Sequence, residues 1–341
     1  MVFAEGEKLG FCLSRMVGGV NEVARSSYIQ EKERMMIAFK SVTPGDRELL
    51  ASYIFPGDRR DSNLSVASLC CWQFLNCSSY AVCEGQLVIR FCFPDIGTVY
   101  TFPAGEESGK KVIFTLVRQA KEEGLPFYLY GVLPDMQQVL DRLFPEVFEY
   151  RSNRDHFDYL YLRRDLAELR GKDYQPKRNH INKFRKSYDY RYTPMTKEMV
   201  ADCMVVYHQW CEERRCSEDE GLGFEQRALI YGMEHFSELA LKGGVLWVEG
   251  KMIAFTFGAM VNHDTFGVHA EKALMAFEGA YNVIHQEFAT HLPLSVVYLN
   301  REEDLGIEGL RRAKLSYRPI RLLEKGVAVC AEGTWDKILS L

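Results

Sequence analysis

Cations and glycines between residues 300 and 319 have the residue types and the spacing for group transfer. Residues 309–317 have helical spacing, with Arg311 and Lys314 three residues apart on one face. Gly306 and Gly309 lie in the loop that leads into this predicted helix. A helix start presents unpaired N–H groups and the positive end of the helix dipole, which stabilise an anion or a developing oxyanion. The segment therefore predicts an anion-binding helix start flanked by two cations.

The same segment also fits a second interpretation, a basic surface helix without chemistry. Leu310 and Tyr317 would pack against the protein while Arg311 and Lys314 face water. Runs of charge usually form solvated faces, so spacing alone favours this interpretation. In both interpretations the two cations lie outside the buried face of the helix.

Two Glu-Gly pairs, at residues 84–85 and 249–250, each join two strand-like runs. Such a tight turn between apolar runs predicts a β-hairpin. The hairpins cover residues 79–93 and 245–257. Each is followed by a third strand, a helix and a further strand, at 98–102, 110–123 and 127–130 in the first half and at 265–270, 279–291 and 295–299 in the second. This shared order predicts a duplication.

The predicted duplication sets the fold class and the domain organisation. Each half is expected to be an α/β domain with a mixed sheet and helices packed over it, and with a ligand site at the C-terminal ends of the central strands. An N-terminal extension, residues 1–35, is expected to precede a first domain of residues 36–165 and a second of residues 166–341. Residues 147–162 predict a closing pair of strands in the first domain.

The most basic part of the chain lies between the two halves, at residues 169–186. Ile181, Phe184 and Tyr188 have the spacing of one apolar helix face, and cations surround it. One interpretation is an interdomain helix with a solvated face. The other is a polyanion-binding helix, because cations mixed with Asn and His are the residue types that hold phosphates. The candidates are Lys177, Arg178, Asn182, Lys183 and Arg185.

Composition narrows the function classes. A formal net charge of -5 argues against a surface built entirely for nucleic acid. No apolar run reaches membrane-spanning length and no signal peptide is recognisable, so we predict a cytoplasmic protein without integral membrane association. The ten cysteines include no Cys-x-x-Cys and no Cys/His set at zinc spacing, which favours reduced thiols and no metal site.

Several motifs in the second half resemble those of one known family. They are Lys-Arg-Asn-His-Ile-Asn-Lys-Phe at 177–184, His-Ala-Glu-Lys-Ala at 269–273, Phe-Glu-Gly-Ala-Tyr at 277–281, Gln-Glu-Phe at 286–288 and the whole of 300–319. From residue 36 onward the chain resembles the C-terminal domain of phosphatidylglycerol lysyltransferases, as a soluble, free-standing relative. The resemblance implies a tandem of two acetyltransferase-like (GNAT) folds, an arrangement also used by Fem-type ligases.

The chemistry implied by this resemblance is aminoacyl transfer from an aminoacyl-tRNA to an amine or hydroxyl of a small molecule, peptide or lipid headgroup, with no cofactor. In the family pattern Arg311 and Lys314 would contact donor phosphate or ribose. Asp304, Glu271 and Glu278 would pair with a positively charged amino group, although each carboxylate could equally cap a helix or pair with a lysine. The catalytic candidates are thus Arg311, Lys314 and Asp304, and Asn300, Glu271 and Glu278 join the substrate-binding candidates.

Two other functions fit the same fold. A coenzyme-A-dependent acetyltransferase would need a glycine-rich pyrophosphate loop before its central helix, and neither 271–281 nor 103–109 matches that pattern. Glu278, just before Gly279, would also repel pyrophosphate. The third interpretation is a binding protein that kept the tandem fold and lost transfer. The sequence does not separate this interpretation from aminoacyl transfer.

Overall fold

The computed structural model describes residues 36–94, 96–105, 108–214, 220–330 and 334–339, which contain both helices and strands. The strands are β1 (Lys40–Ser41), β2 (Ser79–Cys83), β3 (Gln86–Phe93), β4 (Gly97–Thr101), β5 (Tyr128–Val132), β6 (Phe148–Ser152), β7 (Asp158–Leu162), β8 (Tyr190–Pro194), β9 (Lys242–Val248), β10 (Lys251–Met260), β11 (Thr265–Ala273), β12 (Tyr298–Asn300), β13 (Arg321–Leu323) and β14 (Gly326–Cys330). The predicted extension, residues 1–35, lies outside the described residues.

Helices cover both sheets. They are α1 (Arg47–Ile54), α2 (Val66–Cys71), α3 (Gln73–Asn76), α4 (Lys110–Glu123), α5 (Pro134–Leu143), α6 (Arg163–Glu168), α7 (Gln175–Ser187), α8 (Val200–Arg214), α9 (Glu220–Glu234), α10 (Ala280–His291), α11 (Glu308–Leu315) and α12 (Trp335–Leu339). Within the described residues, none of these helices is long and apolar enough to cross a membrane. The cytoplasmic localisation stays a prediction.

The strands form two mixed sheets with the same internal plan. The first sheet has the order β1-β2-β3-β4-β5-β14-β6, and the second, read from the matching edge, has the order β8-β9-β10-β11-β12-β7-β13. In each sheet one central pair is parallel, β4 with β5 and β11 with β12, and the other pairs are antiparallel. The prediction of two mixed α/β halves is confirmed.

The turns of the two halves repeat as well as the strands. Glu84 and Gly85 have φ of 50° and 69°, and Glu249 and Gly250 have φ of 51° and 78°. Positive φ at both central residues is the geometry that matches the twist of a two-residue hairpin. Gly109 before α4 and Gly279 before α10 also share a left-handed conformation. Independent repetition of these local geometries supports a duplicated origin.

The predicted closing pair of strands at 147–162 is wrong as a pair. Both strands form, but β6 lies in the first sheet, whereas β7 pairs with β12 and β13 in the second. In return, β14 pairs with β5 and β6 in the first sheet. The two sheets therefore exchange their last strands, and backbone hydrogen bonds tie the halves together. The domain boundary near residue 165 stays a prediction. β7 lies before this boundary but belongs to the second sheet, and β14 lies after it but belongs to the first.

Two apolar cores fill the body. One lies over the second sheet and contains side chains of α7, α10 and β11, such as Phe184, Phe288 and Phe266. The other joins the halves, since it contains both Leu87 of β3 and Phe255 of β10. The second sheet is thus buried on both faces, and polar side chains that point off its central strands need partners in the interior.

Candidate functional site

The parallel strands β11 and β12 separate after a short stretch of pairing. Their register runs from Thr265 opposite Tyr298 to Gly267 opposite Asn300. There β12 ends, whereas β11 continues to Ala273. A gap at the C-terminal ends of parallel strands is where ligands bind in open α/β sheets. The side chains that reach this gap are therefore the candidates for function.

A β-bulge in β11 turns Glu271 toward α10. Phe257 is opposite Ala270 and Gly258 is opposite Val268, so His269 is the extra residue. Before the bulge, Val268 faces the core of the second half, whereas after it Ala270 faces the core shared by the halves. Alternation then places Glu271 on the α10 side. Bulges commonly re-aim side chains near functional sites.

Glu271 is held by one partner on each oxygen. Its Oε2 atom lies 2.9 Å from Nδ1 of His285 on α10, and its Oε1 atom accepts from Nη2 of Arg301 at 3.2 Å. Burial disfavours the charged form of Glu271, but His285 and Arg301 outweigh it and lower the pKa of this carboxyl. The gap therefore contains an ionised carboxylate whose side chain is 11% exposed.

The bond to Glu271 fixes the tautomer of His285. An ionised carboxylate can only accept, so Nδ1 carries the proton and Nε2 carries the lone pair. Burial and the neighbouring Arg301 lower the pKa of His285 below 6.5, which keeps the ring neutral at neutral pH. Among the described residues, the buried Nε2 atom has no hydrogen-bond partner. Such an orphan acceptor indicates a place where a ligand group donates.

Tyr317, just after α11, connects this carboxylate to α7. Its ring packs edge-on against His285 at 4.7 Å, and its hydroxyl accepts from Nδ2 of Asn282 at 2.7 Å. Nζ of Lys177 lies 4.0 Å from the ring centroid, and the guanidinium of Arg301 lies 5.3 Å from it. Two cations thus share one aromatic ring at the edge of the gap.

Lys314 lies inside the protein, so the prediction that it faces solvent beside Arg311 is wrong. Its Nζ donates to the carbonyl oxygens of Arg301 at 2.5 Å and Glu302 at 3.2 Å, and also to that of Glu303. The Glu302 carbonyl also accepts from the backbone amide of Tyr159, and the long lysine stem carries three donors to this segment. Burial and Arg301 lower the pKa of Lys314 to about 8. Lys314 therefore positions Arg301.

The predicted anion site before α11 is filled by the protein's own Asp304. Arg311 donates to this carboxylate through Nε at 2.9 Å and Nη2 at 2.7 Å. The amide of Gly306 also donates to the Asp304 carboxylate, at 2.9 Å. Tyr159 donates as well, at 2.5 Å. Burial opposes ionisation, yet Arg311 and Tyr159 hold the pKa of Asp304 well below its usual range. The catalytic roles of Arg311 and Asp304 stay predictions, and Asp304 is too acidic to act as a base.

Most predicted substrate-binding residues contact the protein itself. Lys183 pairs with Glu278 at 2.5 Å, and Arg185 pairs with Glu287 at 3.1 Å. Arg178 donates to the carbonyls of Leu169 and Gly171 at the start of α7. Asn182 is exposed on the same helix. The structure pairs Glu278 with a lysine, which was one of the alternatives for this carboxylate. Polyanion binding by this helix stays a prediction.

Asn300 has an interior position at the end of β12. Its Nδ2 donates to the carbonyl of Arg60 at 2.6 Å and to Asp158 at 2.9 Å, and its Oδ1 accepts from the amide of Glu302 at 2.7 Å. Asn300 is fully buried. The bond to Arg60 ties Asn300 to the first half, and the role of Asn300 in substrate binding stays a prediction.

Ser65, His269 and Glu302 form a second histidine–carboxylate group across the halves. His269 Nε2 lies 3.1 Å from Ser65 Oγ, and Nδ1 lies 2.8 Å from Glu302. The distances suit a nucleophile, its base and an orienting carboxylate. The exposure of these residues does not suit such a role, because Ser65 is 0% exposed while the Glu302 side chain is 26% exposed. A nucleophile must reach substrate, so this group serves as a link between the halves.

A buried ion cluster lies where the exchanged strands meet. Nζ of Lys325 binds Asp158 at 2.7 Å and also binds Glu303, and Lys325 and Asp158 are 4% and 0% exposed. Burial raises the pKa of Glu303 to about 7, even though Lys325 opposes this shift. Within the described residues, no group of three or more His, Cys, Asp or Glu side chains could hold a metal ion.

The sequence predicts Glu271 and Lys177 as binding residues, but it does not single out His285, Arg301 and Tyr317, which lie beside them in the structure. Arg301 and Tyr317 were inside the recognised 300–319 motif, where spacing directed attention to the helix. Asn282 and His285 are three residues apart, the spacing of one helix face. That polar pair on the apolar helix 279–291 was the available signal.

Comparison with known proteins agrees with this architecture. A family model described as "Phosphatidylglycerol lysyltransferase, C-terminal" matches residues 56–328. A conserved protein of unknown function from Bacteroides thetaiotaomicron is 45% identical, with a TM-score of 0.85, and the match covers 87% of this chain and 100% of that one. Comparison with curated proteins gives no match.

More distant structures share the fold. L-PGS from Bacillus licheniformis is 16% identical with a TM-score of 0.58, over 88% of this chain and 96% of that one. FemX is 8% identical with a TM-score of 0.55, over 89% of this chain and 100% of that one. With the two repeated mixed sheets, these matches confirm the predicted tandem of GNAT-like folds.

Proposed function

Because the chain belongs to the family of the phosphatidylglycerol lysyltransferase C-terminal domain, we propose that it transfers an aminoacyl group from an aminoacyl-tRNA to an amine or hydroxyl acceptor. Family and fold indicate an acyl or aminoacyl transferase of this type. The observation that carries the finer proposal is the ionised, buried Glu271 at the open ends of β11 and β12, with the orphan Nε2 of His285 beside it.

Glu271 is the group that would hold a positively charged amine. Each carboxylate oxygen can accept two hydrogen bonds, and His285 and Arg301 use one on each oxygen. The remaining lone pairs suit the ammonium of the aminoacyl group. In this largely dry gap a charge pair is stronger than in water. Glu271 therefore binds and orients the donor.

His285 supplies a base for direct transfer. The acceptor nitrogen or oxygen forms a bond to the ester carbonyl carbon, and the bond from that carbon to the ribose oxygen breaks. Nε2 of His285 is enclosed in the free protein, so this step requires the gap to open around the bound donor. The acceptor's proton then passes to Nε2 and from there to the leaving ribose oxygen. The guanidinium of Arg301 is the nearest donor for the oxyanion of the tetrahedral intermediate. No covalent enzyme intermediate is needed.

The test is a single-turnover assay with the whole protein. Labelled aminoacyl-tRNA and acetyl-coenzyme A are offered separately with pooled amine and hydroxyl acceptors. We expect transfer from aminoacyl-tRNA, and a loss of about 100-fold or more for Glu271→Gln. The matched control is Glu308→Gln, which removes an exposed carboxylate outside the gap. Transfer only from acetyl-coenzyme A, or from neither donor, would contradict the proposal.

A further inference from the structure

Lys177 is a half-buried cation without a counter-ion. Its Nζ lies over the Tyr317 ring, and within the described residues no carboxylate forms a salt bridge with it. Two other cations on the same helix differ, since Lys183 and Arg185 pair with Glu278 and Glu287. Burial and the nearby Arg301 lower the pKa of Lys177 to about 8. The free protein therefore holds this charge at an energetic cost.

The helix that carries Lys177 adds to the positive potential. Lys177 lies in the first turn of α7, a 13-residue helix whose first turn has no acidic residue and no capping side chain. The start of a helix favours negative charge and disfavours a lysine. A cation placed there without an anion is unfavourable for folding. Its position is explained if an anion from outside occupies the place opposite it.

Arg301 provides the second half of the arrangement. It has one described carboxylate partner, Glu271, and a guanidinium has five donors. Lys177 and Arg301 both lie over the Tyr317 ring, while Glu271 is the ionised carboxylate on the same side. The local charge is positive in excess, so a single additional anion would balance it.

We propose that Lys177 and Arg301, which both lie over the ring of Tyr317, form a subsite for a nucleotide phosphodiester. The inference rests on the proposed function, since an aminoacyl-tRNA donor carries such a group next to its terminal ribose. Two non-bridging oxygens can accept from the ammonium and the guanidinium together. The Tyr317 ring, between the cations, offers an apolar wall for the sugar. The exposed His180, three residues after Lys177, lies further along the same side of α7.

Binding of the dinucleotide cytidylyl-(3′,5′)-adenosine to the full chain tests the subsite, by calorimetry at low salt. We expect binding that weakens at least tenfold in Lys177→Gln and stays within twofold in Lys177→Arg. The matched control is Lys186→Gln, which changes an exposed lysine on the same helix and should bind like the wild type. Equal affinity of Lys177→Gln and wild type, or equal binding of cytidine and adenosine without the phosphodiester, would overturn the subsite. Preferential binding of glycerophosphoglycerol would overturn its assignment to RNA.

The pH dependence of the wild type gives a second measurement that needs no deletion of charge. An anion binds the protonated amine, so affinity should be full below about pH 8 and fall as the pH rises through the pKa of Lys177. The charged and titratable groups in the surroundings of Lys177 are Arg301, Glu271, His285, Tyr317 and Lys314. Because Lys314 also has a pKa of about 8, Lys177→Arg is the control that isolates Lys177. An unchanged pH dependence in Lys177→Arg would contradict the assignment.

The two proposals fail separately. Transfer activity that does not depend on Lys177, in a protein that does not bind the dinucleotide, removes the subsite and leaves aminoacyl transfer standing. Binding that depends on Lys177 without any transfer removes the proposed reaction and leaves the subsite standing. Thermal melting of each variant checks that the variant is folded under the conditions of the binding and transfer assays.

Discussion

Arg301 Nη2 lies 3.2 Å from Glu271 Oε1, across the gap where β11 and β12 separate. The two residues are 30 positions apart in the chain, with a helix between them. The contact places an ionised carboxylate and a guanidinium at the end of two parallel strands, and Lys314 fixes the backbone that carries Arg301. The pair is thus held from both sides before any ligand binds.

The first prediction concerns Arg301 itself. Arg301→Gln should lower single-turnover transfer by about 100-fold, because it removes the donor nearest the developing oxyanion. Arg318→Gln is the matched control, since Arg318 is exposed and makes only a long contact to Asp173 at 3.9 Å. Rates are compared below the melting temperature of each variant. Transfer by Arg301→Gln at the wild-type rate would show that this guanidinium is idle.

The second prediction concerns pH. The Nε2 lone pair of His285 is available only when the ring is neutral, so transfer should fall as the pH decreases through the pKa of His285, which lies below 6.5. Glu271 stays ionised there because its own pKa is lowered below 4.5. Arg301, Lys177 and Tyr317 also face the ring but do not titrate in this range.

The same assay with variants identifies the histidine. His285→Gln should lose the acid limb and about 100-fold in rate. His291→Gln changes an exposed histidine at the end of the same helix and should keep both. An acid limb that persists in His285→Gln would assign the titration to another group.

The third prediction separates a structural lysine from a surface arginine on one helix. Lys314→Met should lower the free energy of unfolding by about 2–4 kcal/mol, because the carbonyl oxygens of Arg301 and Glu303 lose the Lys314 ammonium as donor and that of Glu302 keeps only the Tyr159 amide. Arg312→Met, two residues earlier and exposed, should change it by about 0.5 kcal/mol or less. Chemical denaturation measures both. Equal stability of the two variants would mean that the carbonyls find water instead.

The fourth prediction concerns the buried ion pair at the exchanged strands. Lys325→Met should destabilise the protein by about 3–5 kcal/mol, since Asp158 is then a buried charge without its cation. Asp158→Asn in the same chain should recover much of this loss, because the uncompensated charge disappears. A double-mutant cycle by denaturation measures the coupling. Additive effects of the two substitutions would contradict a direct interaction.

Local chemistry let the sequence determine the repeated elements. A Glu-Gly pair between apolar runs specifies a tight hairpin by itself, since only a few residues must adopt positive φ there. The same holds for the helices that follow Gly109 and Gly279, whose bounds the periodicity placed within a residue or two. The order of these elements, and the long motif at 300–319, then sufficed for the duplicated fold and the family.

Tertiary structure alone decided which strands pair and which side of α11 is buried. Residues 147–162 specify two strands, but the choice of sheet depends on partners more than 100 residues away, at β12, β13 and β14. Helical spacing places Lys314 three residues from Arg311. It does not reveal which face of α11 contacts the carbonyl oxygens of residues 301–303. The predicted strand at 295–299 likewise shortens to Tyr298–Asn300, because β7 and β11 set its pairing.

The candidate site combines both kinds of information. Glu271, His285 and Arg301 are present in the sequence with no spacing that relates them. They meet because β11 and β12 are joined by a helical crossover and because a bulge at His269 turns Glu271 to the α10 side. A bulge is a one-residue change of register that hydrophobic patterning does not reveal, and one residue decides to which side a side chain points.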